Sequence, residues 1–204
     1  MRYIGHMDFV RVFQRAVKRS GIDIAYSGGF NPRQRISFAL PLPVGAAGLS
    51  EYAEINVNGP EDHGRVTRAL NDHLPRGVSI IQTRPFYENE KSPASSLTAA
   101  KYAVRFPNGA EGKRQTGVNG LGEAIAVFLN GGTGDIGDVI SIAAVNDFLM
   151  ELTVPHGNKK NLKPNVVAGR LCDIMAAAFD PIDITYTRLE MYKDAGGGLT
   201  PMFE

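Results

Sequence analysis

Residues 87–96, YENEKSPASS, are polar and carry no apolar period. On either side of them the chain runs through its own series of strand and helix patterns. This break constrains the fold more than any other feature, because it asks for two modules with separate cores, 1–86 and 97–204, joined by 87–96 as a linker. A chain of 204 residues accommodates two modules of roughly 100 residues each.

In the first half, residues 8–20 (DFVRVFQRAVKRS) place Val10, Phe13 and Val17 at helical spacing, with Asp8 as an N-cap and Gly21 as a stop. Residues 22–26, 36–40 and 51–57 read as strands, with 45–48 as a loose turn between the last two. Residues 60–74 read as a helix turning Val66, Ala69, Leu70 and Leu74 inward, and 78–83 as a strand. The second half repeats the theme: strand 100–106, helix 118–129, strands 139–144 and 148–154, helix 165–179 and strand 182–192. In that last helix Val166, Leu171, Ile174, Met175 and Ala178 form the apolar pattern. The expected class is α+β, with tandem ferredoxin-like, split βαβ modules. Only residues 2–4 are available for the first strand of module one, so that strand is short or missing.

With 43% apolar and 21% charged residues the chain can bury a core. The net charge is only +1, but it is unevenly spread. Residues 1–45 hold seven Lys/Arg against Asp8 and Asp23, a local +5, and the remainder has a net −4. Such asymmetry points to a localised anion-binding face. A single cysteine, Cys172, fits a reducing cytoplasm and is read as a packed residue. The opening residues lack a signal-peptide pattern, and the longest apolar run, 38–49, is too short and too broken to span a bilayer. The expectation is a cytoplasmic protein with no membrane partner.

Three places offer chemistry. Arg11, Arg15 and Lys18 fall at i, i+4 and i+7 of the first helix, opposite its apolar face, followed by Arg19. No acidic residue lies between Phe9 and Gly21, so the stripe suits phosphates, the bland alternative being a solvated helix face. Next, the loop YSGGFNPRQR carries Arg33 and Arg35 among Ser27, Gly28, Gly29, Asn31 and Pro32. Glycines let backbone approach a ligand and form anion-binding nests, while Tyr26 and Phe30 have faces on which a base can stack. Ordinary turn chemistry explains the same residues. Finally, His6 and Asp8 sit at the mouth of the first helix, where His6 is a candidate general base or acid, or simply a packed neighbour of a capping Asp. Metal binding is not expected, since the histidines are scattered and no cysteine pair exists. The glycine cluster at 130–138 lacks the P-loop ending and reads as a flexible turn.

The stretch RYIGHMDFVRVFQRAVKRSGIDIAYSGGFNPRQRISFALPLPVG resembles the opening of the bacterial radical SAM-linked protein family, which carries a domain of unknown function. Matching positions are His6, Asp8, Arg15, Arg19, Tyr26, Ser27, Gly29, Phe30, Asn31, Pro32, Arg35, Ser37, Pro41, Pro43 and Gly45. Gln34 departs from it, standing where the family more often has a proline, and the family's complete first strand is nearly absent. The resemblance implies an accessory module acting beside a radical SAM enzyme with a cobalamin-binding domain. It implies no cofactor in this chain, because an iron–sulfur cluster needs several thiolates. The layout is also similar to RNA-binding and RNA-cleaving proteins of the CRISPR repeat-associated superfamily, a likeness of fold that transfers no activity.

Three functions follow as expectations. The first is a non-catalytic module binding RNA or another phosphate-bearing substrate through Arg11, Arg15, Lys18, Arg19, Tyr26, Ser27, Gly29, Phe30, Asn31, Arg33 and Arg35. The second is a metal-independent ribonuclease using His6, with Arg15 or Arg35 stabilising the transition state. The third is a protein-interaction module whose apolar segment 38–45 docks the radical SAM enzyme.

Overall fold

The structure, a computed structural model, describes residues 2–87, 90–107, 118, 120–131, 139–157, 160–176 and 180–204. It is an α+β chain made of two compact units, and the division does not follow sequence order. One unit holds Met1–Gly45 and Tyr52–Ser95, the other Ala46–Glu51 and Ser96–Glu204.

The first unit begins with helix α1 (His6–Arg19), which buries Phe13, Ala16 and Val17. Its N-cap is Gly5, which supplies no side-chain cap; Asp8 stands inside the first turn instead. The stop matches the sequence pattern, since Gly21 follows Ser20 with φ +69°, a left-handed turn that glycine adopts without strain. Strands β1 (Ile36–Phe38) and β3 (Ala53–Ile55) pair antiparallel, Ile36 opposite Ile55. Helix α2 (His63–Asn71) starts where the Asp62 side chain accepts the Arg65 N–H. Phe13, Val17, Ile22, Ile24, Val66 and Leu70 form the core, with Ile36, Phe38, Ile55, Val57, Leu74 and Ile80 packed around it. Each fully buried apolar side chain stabilises the unit by about 1.5–3 kcal/mol.

Several expected strands are reduced. Residues 22–26 contribute isolated bridges, Ile24 to Val57 and Tyr26 to Gln34. Arg2–Ile4 form no strand; the Arg2 carbonyl accepts the Gly45 N–H at 2.9 Å, and its guanidinium donates back to the Gly45 carbonyl. Residues 78–83 join no ladder. The Asn71 side chain takes both the N–H and the carbonyl of Ile80, at 2.7 and 3.0 Å, while Thr83 bonds Thr67 and the His63 carbonyl. Side chains of α2 thus occupy the groups a neighbouring strand would have used.

The second unit follows the short helix α3 (Pro93–Ser96) and contains β4 (Leu97–Arg105), α4 (Leu121–Asn130), β5 (Ser141–Asn146), β6 (Leu149–Pro155), α5 (Pro164–Met175), a 3-10 turn (Pro181–Asp183), β7 (Thr185–Asp194) and β8 (Leu199–Pro201). The strands lie in the order β7-β4-β6-β5, all antiparallel, which is a split βαβ order with the first strand inside the sheet. Leu121, Ala124, Ile125 and Phe128 of α4, with Val167, Ala168, Leu171 and Met175 of α5, are buried. Val166 is exposed and Ile174 half-buried, so the inward face of α5 is rotated from the expected one; Ala178 lies outside the described residues. The expected turn at 130–138 likewise falls outside them from residue 132 onward.

The expected loose turn at 45–48 is replaced by strand β2 (Ala46–Gly48), which pairs parallel to β7 with Ala46 opposite Tyr186 and Gly48 opposite Arg188. Three residues rich in alanine and glycine carry too little pattern to announce a strand. The partner that makes them one lies far along the chain.

Candidate anion-binding hairpin

Within the first unit, residues 25–35 fold back on themselves as a hairpin. Ser27 N–H donates to the Arg33 carbonyl at 2.8 Å, Arg33 N–H to Ser27 Oγ at 3.0 Å, and Arg35 N–H to the Ala25 carbonyl at 2.9 Å. Tyr26 stands opposite Gln34. Because side chains alternate across a strand pair, Arg33 and Arg35 share one face with the small Ala25 and Ser27, while Tyr26 and Gln34 occupy the other. Gly29 has φ +102°, so the turn depends on glycine there. Ser27, Gly28, Gly29, Asn31 and Pro32 are all exposed, and Phe30 at the tip is fully so.

Arg33 and Arg35 are exposed, and neither side chain forms a hydrogen bond or ion pair among the described residues. The sequence contains no acidic residue from Ile24 to Ser50. The hairpin therefore presents two exposed cations, and the Asn56 backbone lies beside them, accepting the Ala25 N–H at 2.7 Å and donating to the Arg35 carbonyl at 3.0 Å.

The helix stripe is different from what its sequence suggests. Arg11 pairs with Asp8 at 2.9 Å, one helical turn back, so it is not an unpaired cation. Both partners are largely exposed, and such a pair is worth about 0–1 kcal/mol. Arg15 donates to the Arg11 carbonyl, and Arg19 to the His73 carbonyl, each at 3.2 Å. Lys18 is exposed and forms no such contact among the described residues.

His6 packs edge-on against Phe38, with ring centroids 5.7 Å apart, in a cluster with Phe9 and Phe13. Phe38 lies four residues beyond Gln34, about 13 Å along an extended strand. Among the described residues His6 makes no hydrogen bond, and no hydrogen bond, ion pair or ring contact joins it to Arg15, Asn31 or Arg35. No group of three or more His, Cys, Asp or Glu gathers among them either. Cys172 is buried, and burial pushes its thiol up to about 11, which keeps it unreactive at neutral pH.

The second unit holds a polar chain that its sequence did not reveal. Arg188 on β7 is 0% exposed and donates to both carboxylate oxygens of Glu51, at 2.8 and 2.6 Å, while the Glu51 side chain keeps 29% of its surface in solvent. Burial opposes the charge on Arg188, but the hydrogen bonds and charge of Glu51 outweigh it and hold its pKa above the ordinary value. Burial also raises the Glu51 carboxyl, with Arg188 opposing. Further in, the buried Tyr102 hydroxyl meets His156 Nε2 at 3.1 Å. Burial lowers the His156 pKa, an interaction with the Asn161 side chain opposing it. An arginine within the otherwise strand-like TYTRLEMY was the one legible signal, because an arginine at a strand position that faces inward requires a counter-charge.

A shallow hollow of about 330 Å3 lies on the sheet of this unit, lined by Lys101, Glu151, Thr153 and Tyr192 among others. Lys101 and Glu151 pair across it at 2.6 Å, so its charges satisfy each other.

No curated protein matches the chain. Residues 1–164 match the model of a family described as an uncharacterised protein conserved in bacteria, DUF2344, a span that includes the whole hairpin.

Proposed function

The chain belongs to this family of uncharacterised proteins conserved in bacteria, and we propose that it is a binding module for RNA or another phosphate-bearing substrate, with no catalysis of its own. One observation carries the reading: Arg33 and Arg35 stand exposed on the hairpin, and neither side chain forms a hydrogen bond or ion pair among the described residues. Arginine presents planar, forked donors suited to phosphate oxygens. Lys18 and the weakly engaged Arg11, Arg15 and Arg19 add positive charge on the same unit. Phosphate contacts of this type position a strand without reading its sequence.

The wider proposal keeps the radical SAM enzyme with its cobalamin-binding domain as the partner served, in the cytoplasm. The resemblance of residues 2–45 supports it, as does the lack of cluster-binding cysteines in the chain itself. A tandem of ferredoxin-like modules remains part of this proposal. The split βαβ strand order of the second unit supports it, and the sparse strands of the first unit do not add to it. RNA cleavage is left out, because His6 faces an aromatic ring and has no hydrogen-bonded acid or base beside it among the described residues.

Fluorescence anisotropy with a labelled RNA oligonucleotide over a salt series tests the reading. Affinity is expected to fall linearly with salt on logarithmic axes, and Arg33→Ala with Arg35→Ala to reduce the slope by about 1.4 for a single strand. Binding that is absent, or indifferent to both salt and the two substitutions, overturns it. Co-purification with a radical SAM enzyme is a separate arm that bears only on the partner.

A further inference from the structure

The tip of the hairpin narrows the ligand further. We infer that it takes an unpaired nucleotide of a single strand, with the base stacked on Phe30 and its neighbouring phosphates held by Arg33 and Arg35; this rests on the binding reading above. Phe30 is fully exposed, and a large aromatic ring in water at the tip of an ordered turn has a cost that a stacked base removes. The turn that carries it is held by the Ser27–Arg33 hydrogen bonds, by Gly29 at φ +102° and by Pro32, which also restricts Asn31. A preformed turn loses little freedom on binding.

Arg33 and Arg35 are two residues apart on one strand face, hence about 6.6 Å apart along the chain. That spacing suits neighbouring phosphates of an extended single strand. Tyr26 lies on the face opposite the arginines with Gln34, which leaves Phe30 at the tip as the ring for stacking. A base within a duplex has both faces covered by its neighbours and cannot reach Phe30. A protein partner fits less well: one ring at a hairpin tip supplies a small part of the roughly 800 Å2 per partner that a specific protein interface buries.

Three labelled probes separate this inference from the broader reading: a single-stranded RNA octamer, the same octamer as a duplex, and an abasic octamer with the same backbone. The intact single strand is expected to bind about tenfold more tightly than the abasic one, as loss of one stacked base implies. The duplex is expected to bind more weakly than the intact single strand. Phe30→Ala should remove the tenfold difference without changing abasic affinity, and Phe30→Tyr should retain it. Because Phe30 buries nothing, an unchanged melting temperature confirms that each variant is folded. Equal, salt-dependent binding of intact and abasic strands, or full affinity in Phe30→Ala, overturns the stacking inference and leaves the anion site standing. Absence of salt-dependent binding to every probe overturns both.

Discussion

Glu51 reaches Arg188 across a glycine. A Cβ added at Gly48 would stand 2.7 Å from Glu51 Cδ, too close for the carboxylate to keep its two hydrogen bonds. The consequence is large because Arg188 is wholly buried, and removing one partner of a buried pair leaves an uncompensated charge. Glu51→Gln is expected to cost about 3 kcal/mol of stability, and Gly48→Ala a similar amount if the carboxylate is displaced. Adding Arg188→Met to Glu51→Gln should return most of it. Urea unfolding of the single and double variants checks this, and additive losses would refute the coupling. His156 makes a second prediction at this scale. Burial lowers its folded pKa below the ordinary value of 6.5, so the unfolded chain takes up the proton first on acidification. The sign follows: stability is full above pH 6.5 and declines as pH falls from there toward the lowered folded value. His156→Gln, which still offers Tyr102 a polar partner, should flatten that decline in thermal melts between pH 7 and 5.

The elements show where local pattern suffices. Helix α1 follows its apolar spacing and ends at the expected glycine, because side-chain period and the freedom of Gly21 act within a few residues. Residues 78–83 have a strand-like composition, yet Asn71 takes the backbone groups of Ile80 and no ladder forms. The same local accounting applies to the hairpin. In the Tyr26–Gln34 pair the ladder bonds run through Ser27, Arg33, Arg35 and Ala25, so the Gln34 N–H is outside the ladder. The Gln34 Oε1, moreover, is buried without a hydrogen-bond partner among the described residues. Gln34→Pro removes no ladder bond. It also eliminates an unsatisfied oxygen and stiffens the unfolded chain. We expect it to raise stability by about 0.4–1 kcal/mol, measured as a shift in the urea midpoint. A loss of stability would mean that the backbone at 34 cannot accept the proline φ.

For the whole molecule, the main fact is that Ala46–Glu51 belongs to the unit otherwise formed by Ser96–Glu204. A fragment beginning at residue 96 lacks β2 and Glu51, and Arg188 is left without its carboxylate. Such a fragment is expected to unfold at a lower urea concentration than the same fragment carrying Arg188→Met, as followed by circular dichroism. Coincident midpoints would show that an Arg188 without its carboxylate costs this unit nothing. By itself the sequence determined what depends on neighbours along the chain: the amphipathic face of α1, its glycine stop, the order of elements after residue 96, and the acid-free, glycine-rich stretch that became the hairpin. Only the tertiary structure decided that Arg11 has Asp8 beside it, that His6 faces Phe38 rather than the arginines, and that Tyr26 and Arg35 lie on opposite hairpin faces. It also decided that residues 46–48 form a strand and that Glu51 answers Arg188 from 137 residues away. Periodicity and backbone sterics act over a few residues, whereas a strand's partner and a buried charge's counterion are chosen by packing across the fold.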